Sequence, residues 1–504
     1  MSLPGEIVQT AGLDGENVAR PEPIWVEGMR CLDLCSDSRL VRPGVTFVAY
    51  PGEVQDGRRY IPEAIARGAA NVLWESDHFE WAEGWSVPHR PVPGLRGRIS
   101  ALAGQQWGHP SRSLRVIGVT GTNGKTTCSH WLAQLLECQG GSCAVIGTLG
   151  NGFPGKLVPS THTTPDPIQL QAWLARVRDQ GAQHCVMEVS SHALAQERVA
   201  GVTFRGAIFT NLTRDHLDYH GTLAAYGEAK ARLFHDFALN YALLNLDDPF
   251  AKMLYPQEGA ADRVIGYTCK TAPADLAIDR LEAGSVHWTP RGVSFELTSP
   301  WGKAHIEAPV LGDYNLSNLL AVLGAALLEG IPLAALAESS ARLVAPAGRM
   351  QGFGGGVHPW IVVDYAHTPD ALGHALKTLR SRVARGGRLW VVFGCGGGRD
   401  AGKRPLMGRV AEQGAERVVL TSDNPRDEDP HHILRQIEKG MESPAFLIEE
   451  DRAKAIRSVL AAARSGDVVL IAGKGHETVQ ILAQGEARPF SDAGIVQAWL
   501  EDRS

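Results

Sequence analysis

Four short stretches hold most of the chain's candidate chemistry. GVTGTNGKTT (118–127) runs an apolar strand into a glycine-rich turn, followed at once by Lys125, Thr126 and the helical pattern CSHWLAQLLECQ (128–139). Backbone N–H groups of Gly121, Thr122, Asn123, Gly124 and Thr127 at such a helix start can cradle phosphates. Lys125 can reach the β and γ oxygens, and Thr126 can hold Mg2+. The strict pattern places a glycine at 119, where this chain has Val119, and its first glycine is Gly118. The loop is a variant P-loop. A turn without ligand is the bland reading, disfavoured by the strand before it and the helix after it.

The second stretch is HCVMEV (184–189), a strand ending near Glu188, at the edge where open α/β sheets gather their ligands. Glu188 reads equally as a metal ligand, directly or through water, and as a cap of the Ser-Ser-His turn that follows. In the third, NLTRDHLDYHG (211–221), His216 and His220 have the i, i+4 spacing of a zinc helix. A metalloprotease needs Glu after the first histidine, and this chain has Leu217. Magnesium near phosphates and a hydrogen-bonded turn remain open there. The fourth, TSDNPRDEDP (421–430), sets Arg426 among Asp423, Asp427, Glu428 and Asp429, with Asn424 and Pro425 bending the chain. Its composition alone is that of a solvated turn.

These residues need a scaffold. At 504 residues the chain exceeds one hydrophobic core, and roughly one domain per 150 residues predicts three. The 44% hydrophobic and 21% charged residues are those of a globular protein, and the net charge of -6 offers no basic face to nucleic acid. No signal-like start or spanning run is visible, so a cytoplasmic protein without a membrane partner is expected. The eight cysteines are scattered without a C-x-x-C pair, which predicts reduced thiols. Apolar runs at 45–50, 115–120, 184–189, 206–212, 241–247, 360–365, 388–394, 417–423 and 467–473 alternate with helical patterns, the signature of parallel sheets. Hairpins are expected over 286–310, then a long helix over 315–330. The expected boundaries are 1–112, 113–346 and 347–504.

No Asn-Lys-x-Asp sequence reads guanine, which argues against a GTPase. FGCGGGRD (393–400) after a strand raises a dinucleotide-dependent oxidoreductase, but Arg399 stands where the third glycine belongs.

Taken with TTPD (163–166), EVSSHAL (188–194), DYNLSNLLA (313–321), GRM (348–350), VDYAHTPDAL (363–372) and AGKGHE (472–477), these motifs resemble, in order and over nearly the whole chain, the Mur ligases. Their tripeptide-synthetase branch is most similar. The resemblance implies an α/β fold of three domains: a central P-loop-type mononucleotide-binding sheet, an N-terminal UDP-binding domain and a C-terminal Rossmann-like amino-acid-binding domain. It implies an ADP-forming ligase in peptidoglycan precursor synthesis, with ATP and Mg2+, acting through an acyl phosphate of UDP-N-acetylmuramoyl-L-alanyl-D-glutamate. A monomer is expected.

By the same resemblance, Thr126, Glu188, His216 and Lys230 belong to the metal and phosphate site, with Lys125 catalytic and Lys230 carbamylated to N6-carboxylysine. Locally, Lys230 is an ordinary helix-surface lysine. Asn315, Asn318, Arg349 and Asp364 are implied to meet adenine, phosphate and ribose, with His367 nearby. Ser36, Ser38, His162, Thr163, Thr164, Ser190, Gln196 and Arg198 are implied for the nucleotide-sugar substrate, His162 departing from the asparagine of the pattern. Asp423, Asn424, Pro425 and Arg426, with Arg399, Gly473 and Glu477, resemble the meso-diaminopimelate version of the amino-acid pocket. Lysine-adding relatives lack this arginine, and they are the nearest alternative; a folylpolyglutamate synthetase is more remote.

Overall fold

The computed structural model describes residues 21–53, 55–255, 261–270, 278–289 and 292–503. The first sixteen residues, where the sequence shows no signal-like start, lie outside them, as do 290 and 291 within the expected hairpin. Three sheets organise the described chain.

The N-terminal sheet is all parallel, in the order Leu34–Cys35, Thr46–Ala49, Asn71–Trp74, His89–Pro91, beside a hairpin of Ile24–Val26 and Met29–Cys31. Among the described residues the central sheet has ten strands. Its parallel part places Arg115–Thr120 between Gly206–Phe209 and His184–Glu188. The apolar residues Val116, Ile117, Val119, Cys185, Val186 and Met187 are fully buried on the two faces, as a parallel sheet covered by helices on both sides requires. Helices Lys125–Cys138 and Asp313–Leu328 pack on one face, and Pro167–Asp179 and Leu223–His235 on the other. The helix Asp313–Leu328 is apolar nearly all round and buried from Leu316 to Leu327 apart from Ser317, which is why it runs through a core rather than across a surface. The expected hairpins are present, as antiparallel strands Arg280–Thr289, Gly292–Ser299 and Gly302–Ala308.

The C-terminal sheet runs Gln351–Gly354, Trp360–Asp364, Val468–Ala472, Leu389–Phe393, Arg417–Leu420, Leu447–Ile448, parallel except for its first strand. Strand order fixes the chemistry. Three adjacent central strands deliver Gly121–Thr126, Glu188 and Thr210–His216 from their carboxyl ends, and four adjacent C-terminal strands deliver Asp364, Gly473–Glu477, Gly394–Arg399 and Asp423–Arg426. All eight cysteines are free thiols.

Candidate active site

The glycine turn is stapled to the neighbouring strand's exit. Thr122 N donates to Asn211 O (2.8 Å), Asn123 N to Asn211 Oδ1 (2.9 Å) and Thr210 Oγ1 to Asn123 O (2.6 Å). Gly124 sits at φ 88°, and a Cβ there would meet Asn318 Oδ1 at 2.4 Å, so glycine is needed both for the backbone and for the space. Asn318 donates in turn to Asn315 Oδ1 (3.2 Å), one turn back on the same buried helix, which holds its amide in place against the glycine turn. Thr127 is buried in the first turn that follows.

Two lysines converge above the turn. Lys125 Nζ donates to the carbonyls of Gly121 (2.8 Å) and Thr122 (2.9 Å), and Lys230 Nζ donates to Gly121 O (2.9 Å). Lys230 is buried, not on the helix surface as its local sequence implied. Burial, and then the charge of Lys125, pushes its amine well below the ordinary lysine range, and burial also lowers Lys125. The Tyr226 ring, 4.3 Å from Lys230 Nζ, covers it from the other side.

Glu188 turns inward. Its Oε2 accepts from the hydroxyls of Thr126 and Thr148, both at 3.0 Å, and its Oε1 from Thr148 N (2.9 Å). The cap of the following turn is Ser190, whose hydroxyl accepts from Ala193 N, so the capping reading of Glu188 does not hold. Gly147 makes the approach possible, since a Cβ there would stand 2.3 Å from Glu188 Oε1. Thr148 carries none of the motifs quoted from the sequence. Its only signal is a glycine-threonine pair at a strand exit, yet it also touches Thr163 (3.1 Å), joining the Glu188 corner to the TTPD turn.

His216 takes φ 53°, a left-handed backbone that costs a non-glycine residue roughly 1–2 kcal/mol. Its ring is pushed down to about 4 by burial, so it is a neutral imidazole at pH 7. Its Nε2 lies 3.5 Å from Asp215, which His367 of the C-terminal sheet approaches at 3.9 Å. His220 does not join His216 as a ligand pair: its Nε2 contacts Ser191 Oγ at 3.0 Å. Across the same gap Arg349 Nη2 donates to Thr126 Oγ1 (3.1 Å), and its guanidinium lies 4.6 Å over Tyr365. Arg349 Nε is buried without a hydrogen-bond partner among the described residues. Asp364 accepts from Met350 N (2.7 Å) and Ala366 N (2.9 Å), which fixes the residue after Arg349 at φ 50°.

The nucleotide-sugar candidates form two groups. Thr164 Oγ1 donates to Glu188 O (2.8 Å) and accepts from Ser190 N (3.1 Å), while Arg198 grips Thr164 O (2.8 Å) and Gln196 Oε1 (2.6 Å). These residues, with Thr163, therefore adjoin Glu188. Ser36 and Ser38 follow the first strand of the N-terminal sheet, Ser38 opening the short 3-10 helix Ser38–Leu40, where its hydroxyl donates to Glu63 (2.9 Å). His162 is exposed and contacts Thr161.

At the far edge, Arg426 also adopts a left-handed backbone, φ 52°, and its Nη1 donates to Gly397 O (2.8 Å). None of the neighbouring acids pairs with it. Asp427 accepts from Gln484 N, Asp429 caps the helix Pro430–Glu438, and Glu428 takes both guanidinium nitrogens of buried Arg404 at 2.8 and 3.0 Å. Asp423 accepts from Asn424 N (2.7 Å) and approaches Gly473, whose missing Cβ would lie 2.6 Å from Oδ2. Asn424 Nδ2 donates to Glu477 (2.9 Å). Pro425 O closes on Gly397, where a Cβ would meet it at 1.9 Å. The glycine run 396–398 thus wraps around 424–426 instead of opening a helix for a pyrophosphate; the next helix starts only at Lys403. Arg399 is exposed at the rim.

The chain matches the Mur ligase family catalytic domain over residues 34–107, the Mur ligase middle domain over 119–326 and the Mur ligase glutamate ligase domain over 348–475. A protein of Chromobacterium violaceum named UDP-N-acetylmuramoyl-L-alanyl-D-glutamate--2,6-diaminopimelate ligase is 49% identical over 467 residues, 92% of this chain and 93% of that one. The chain belongs to the Mur ligase family. A relative of the same name from Neisseria meningitidis serogroup B is 47% identical over 92% of this chain and 93% of its own. A solved structure bearing that name superposes with a TM-score of 0.66 at 38% identity, covering 95% of this chain and 97% of that one. As a Mur ligase the chain has the expected three-part α/β fold, with the family's matched segments falling on the three sheets. No helix among its described residues is long and apolar enough to cross a membrane.

Proposed function

We propose that the chain joins meso-diaminopimelate to the D-glutamate carboxylate of UDP-N-acetylmuramoyl-L-alanyl-D-glutamate, forming ADP and phosphate in cytoplasmic peptidoglycan precursor synthesis. Residues 1–112 would serve the uridine diphosphate, 113–346 ATP, and 347–504 the amino acid. A carboxylate is a poor electrophile, so the γ-phosphoryl group is first transferred to it, and the amine then displaces phosphate from the acyl phosphate.

Gly121–Thr127 and Lys125 would hold the phosphates. The unpartnered Nε of Arg349, with Asn315, Asn318 and Asp364, would serve the rest of the nucleotide. The donor set around Thr126 and Glu188 is hard oxygen within one hydrogen bond of the P-loop, which fits Mg2+, and His216 stands by as a neutral imidazole. Mg2+ there would offset the negative charge gathered between phosphates and carboxylate. Lys230, whose charged form burial disfavours, is suited to add as the free amine to CO2 and lose a proton, giving an N6-carboxylysine that places an anion beside Lys125.

The observation that carries the amino-acid assignment is that Arg426 and Asp423 share one strand-exit loop, which Asn424 ties to Glu477 on another. A guanidinium fork suits a carboxylate and the two acids suit an ammonium, together the end of a zwitterion. The test is ADP release by the purified protein given ATP, Mg2+ and the UDP-muramoyl dipeptide, with either diaminopimelate or lysine. Release with diaminopimelate and little with lysine is expected. The reverse ranking would make it a lysine-adding ligase.

A further inference from the structure

Lys474 plays no part in the reading above, yet it is among the most deeply buried charged side chains of the C-terminal sheet, with a side-chain exposure of 0%. Its Nζ donates to Glu477 Oε2 (2.6 Å) and to Asn424 Oδ1 (2.9 Å). Asn424 Nδ2 donates to the same Glu477 Oε2 (2.9 Å), and Asn424 Oδ1 also accepts from Ile481 N (2.9 Å). Every polar atom of the Asn424 side chain is therefore engaged within the protein. Glu477 Oε2 receives two donors, while its Oε1 has no hydrogen bond among the described residues, and its side chain is 27% exposed. The ammonium lies behind the carboxylate, and the carboxylate faces out.

We propose that Lys474 is a positioning residue for the amino-acid subsite: its ammonium clamps Glu477 and Asn424 so that Glu477 Oε1 is presented to the amino group of a zwitterionic end whose carboxylate meets Arg426. This rests on the function proposed above. The geometry is specific in three ways. One side of the carboxylate is saturated, which leaves a single acceptor for the substrate. The clamp spans two strand exits, Asn424 after Arg417–Leu420 and Lys474 after Val468–Ala472, so it ties the loop that carries Arg426 to the loop that carries Glu477. Finally, Lys474 and Glu477 offset each other, so the clamp itself adds no net charge to the subsite.

Steady-state kinetics of the full chain with ATP, the UDP-muramoyl dipeptide and diaminopimelate test this. If the wild type releases no ADP with diaminopimelate, the function reading fails before Lys474 is reached. Given that activity, Lys474→Met is expected to raise KM for diaminopimelate by at least about tenfold and to leave KM for ATP within about twofold, because one partner of a buried pair is lost only at this subsite. Lys474→Met in a Glu477→Gln background should add less than about twofold to the effect of Glu477→Gln alone, since Lys474 acts through Glu477. An unchanged KM for diaminopimelate, equal losses for ATP and the amino acid, or multiplicative effects in the double variant would overturn the proposal. If Lys474→Met does not fold by its thermal melt, Asn424→Asp sets a second carboxylate against Glu477 across the same ammonium. It is expected to show the same loss confined to diaminopimelate, and an unchanged KM there would likewise overturn the proposal.

Discussion

The side chains of Lys125 and Lys230 donate to one carbonyl, that of Gly121, at 2.8 and 2.9 Å, although the two residues lie on different helices on opposite faces of the central sheet. Two ammonium groups so close repel, and burial discourages both charges. Burial lowers both amines, and the charge of Lys125 adds to the lowering of Lys230, which falls well below the ordinary lysine range, so Lys125 is the better suited of the two to the cationic role toward phosphate.

Lys230→Met should therefore separate activity from stability. The substitution removes a buried, repelled amine without opening a large cavity, so the melting temperature should stay level or rise. ADP formation should fall by roughly 100-fold or more, the scale of losing one preorganised electrostatic group. A parallel fall in melting temperature would reduce Lys230 to a structural role.

Arg426→Ala should cost kcat/KM for diaminopimelate roughly 100-fold, the value of about 3 kcal/mol for a desolvated charge-assisted contact, while ATP affinity changes little. Its backbone at φ 52° already costs the fold roughly 1–2 kcal/mol, so Arg426→Gly should restore none of the activity yet melt no lower than the alanine variant. Comparable losses for both substrates would place the guanidinium outside the amino-acid pocket.

How much of this was legible in the chain follows from where each signal lives. Strand cores such as 184–189 and 360–365 could be read because burial on both faces of a parallel sheet demands continuous apolar runs, and the P-loop because its parts are adjacent in sequence. Lys230 reads as a surface lysine since nothing local forces it inward. Even so, Tyr226, Lys230 and Leu233 share one helical stripe, and the two flanking residues are buried. By composition the acids around Arg426 read as a solvated turn, but Asp427, Glu428 and Asp429 are engaged elsewhere, on Gln484 N, Arg404 and a helix cap. Those partners lie up to dozens of residues away, and composition cannot reveal them. Thr148 was invisible because a threonine at a strand exit has no signature until Glu188 is folded against it.

Gly147→Ala tests the Glu188 corner by sterics alone. The added Cβ would stand 2.3 Å from Glu188 Oε1 and 2.8 Å from its Cδ, so the carboxylate must swing from Thr126 and Thr148. The Mg2+ concentration for half-maximal ADP release should rise about tenfold, in the range of disturbing a ligand's supporting contacts. An unchanged Mg2+ requirement would show that Glu188 is not near the metal.

Acid should unfold the protein through its buried neutral histidines. His130 lies in the helix after the P-loop, 9% exposed, and burial, aided by Arg349, pushes it down to about 4. The unfolded chain takes up this proton near pH 6.5 while the folded protein does not until about pH 4. The unfolded state therefore binds more protons between those values, and stability falls as pH drops through that window. A shift from 6.5 to about 4 corresponds to about 3 kcal/mol at most, lost progressively below pH 6.5 and complete near pH 4. Urea unfolding at pH 7 and pH 4.5 should show this, and His130→Asn, which has no proton to gain, should flatten the difference by up to that amount. An equal pH dependence in the variant would shift the acid sensitivity to His216, His192 and His476, whose rings burial also holds far below their ordinary range.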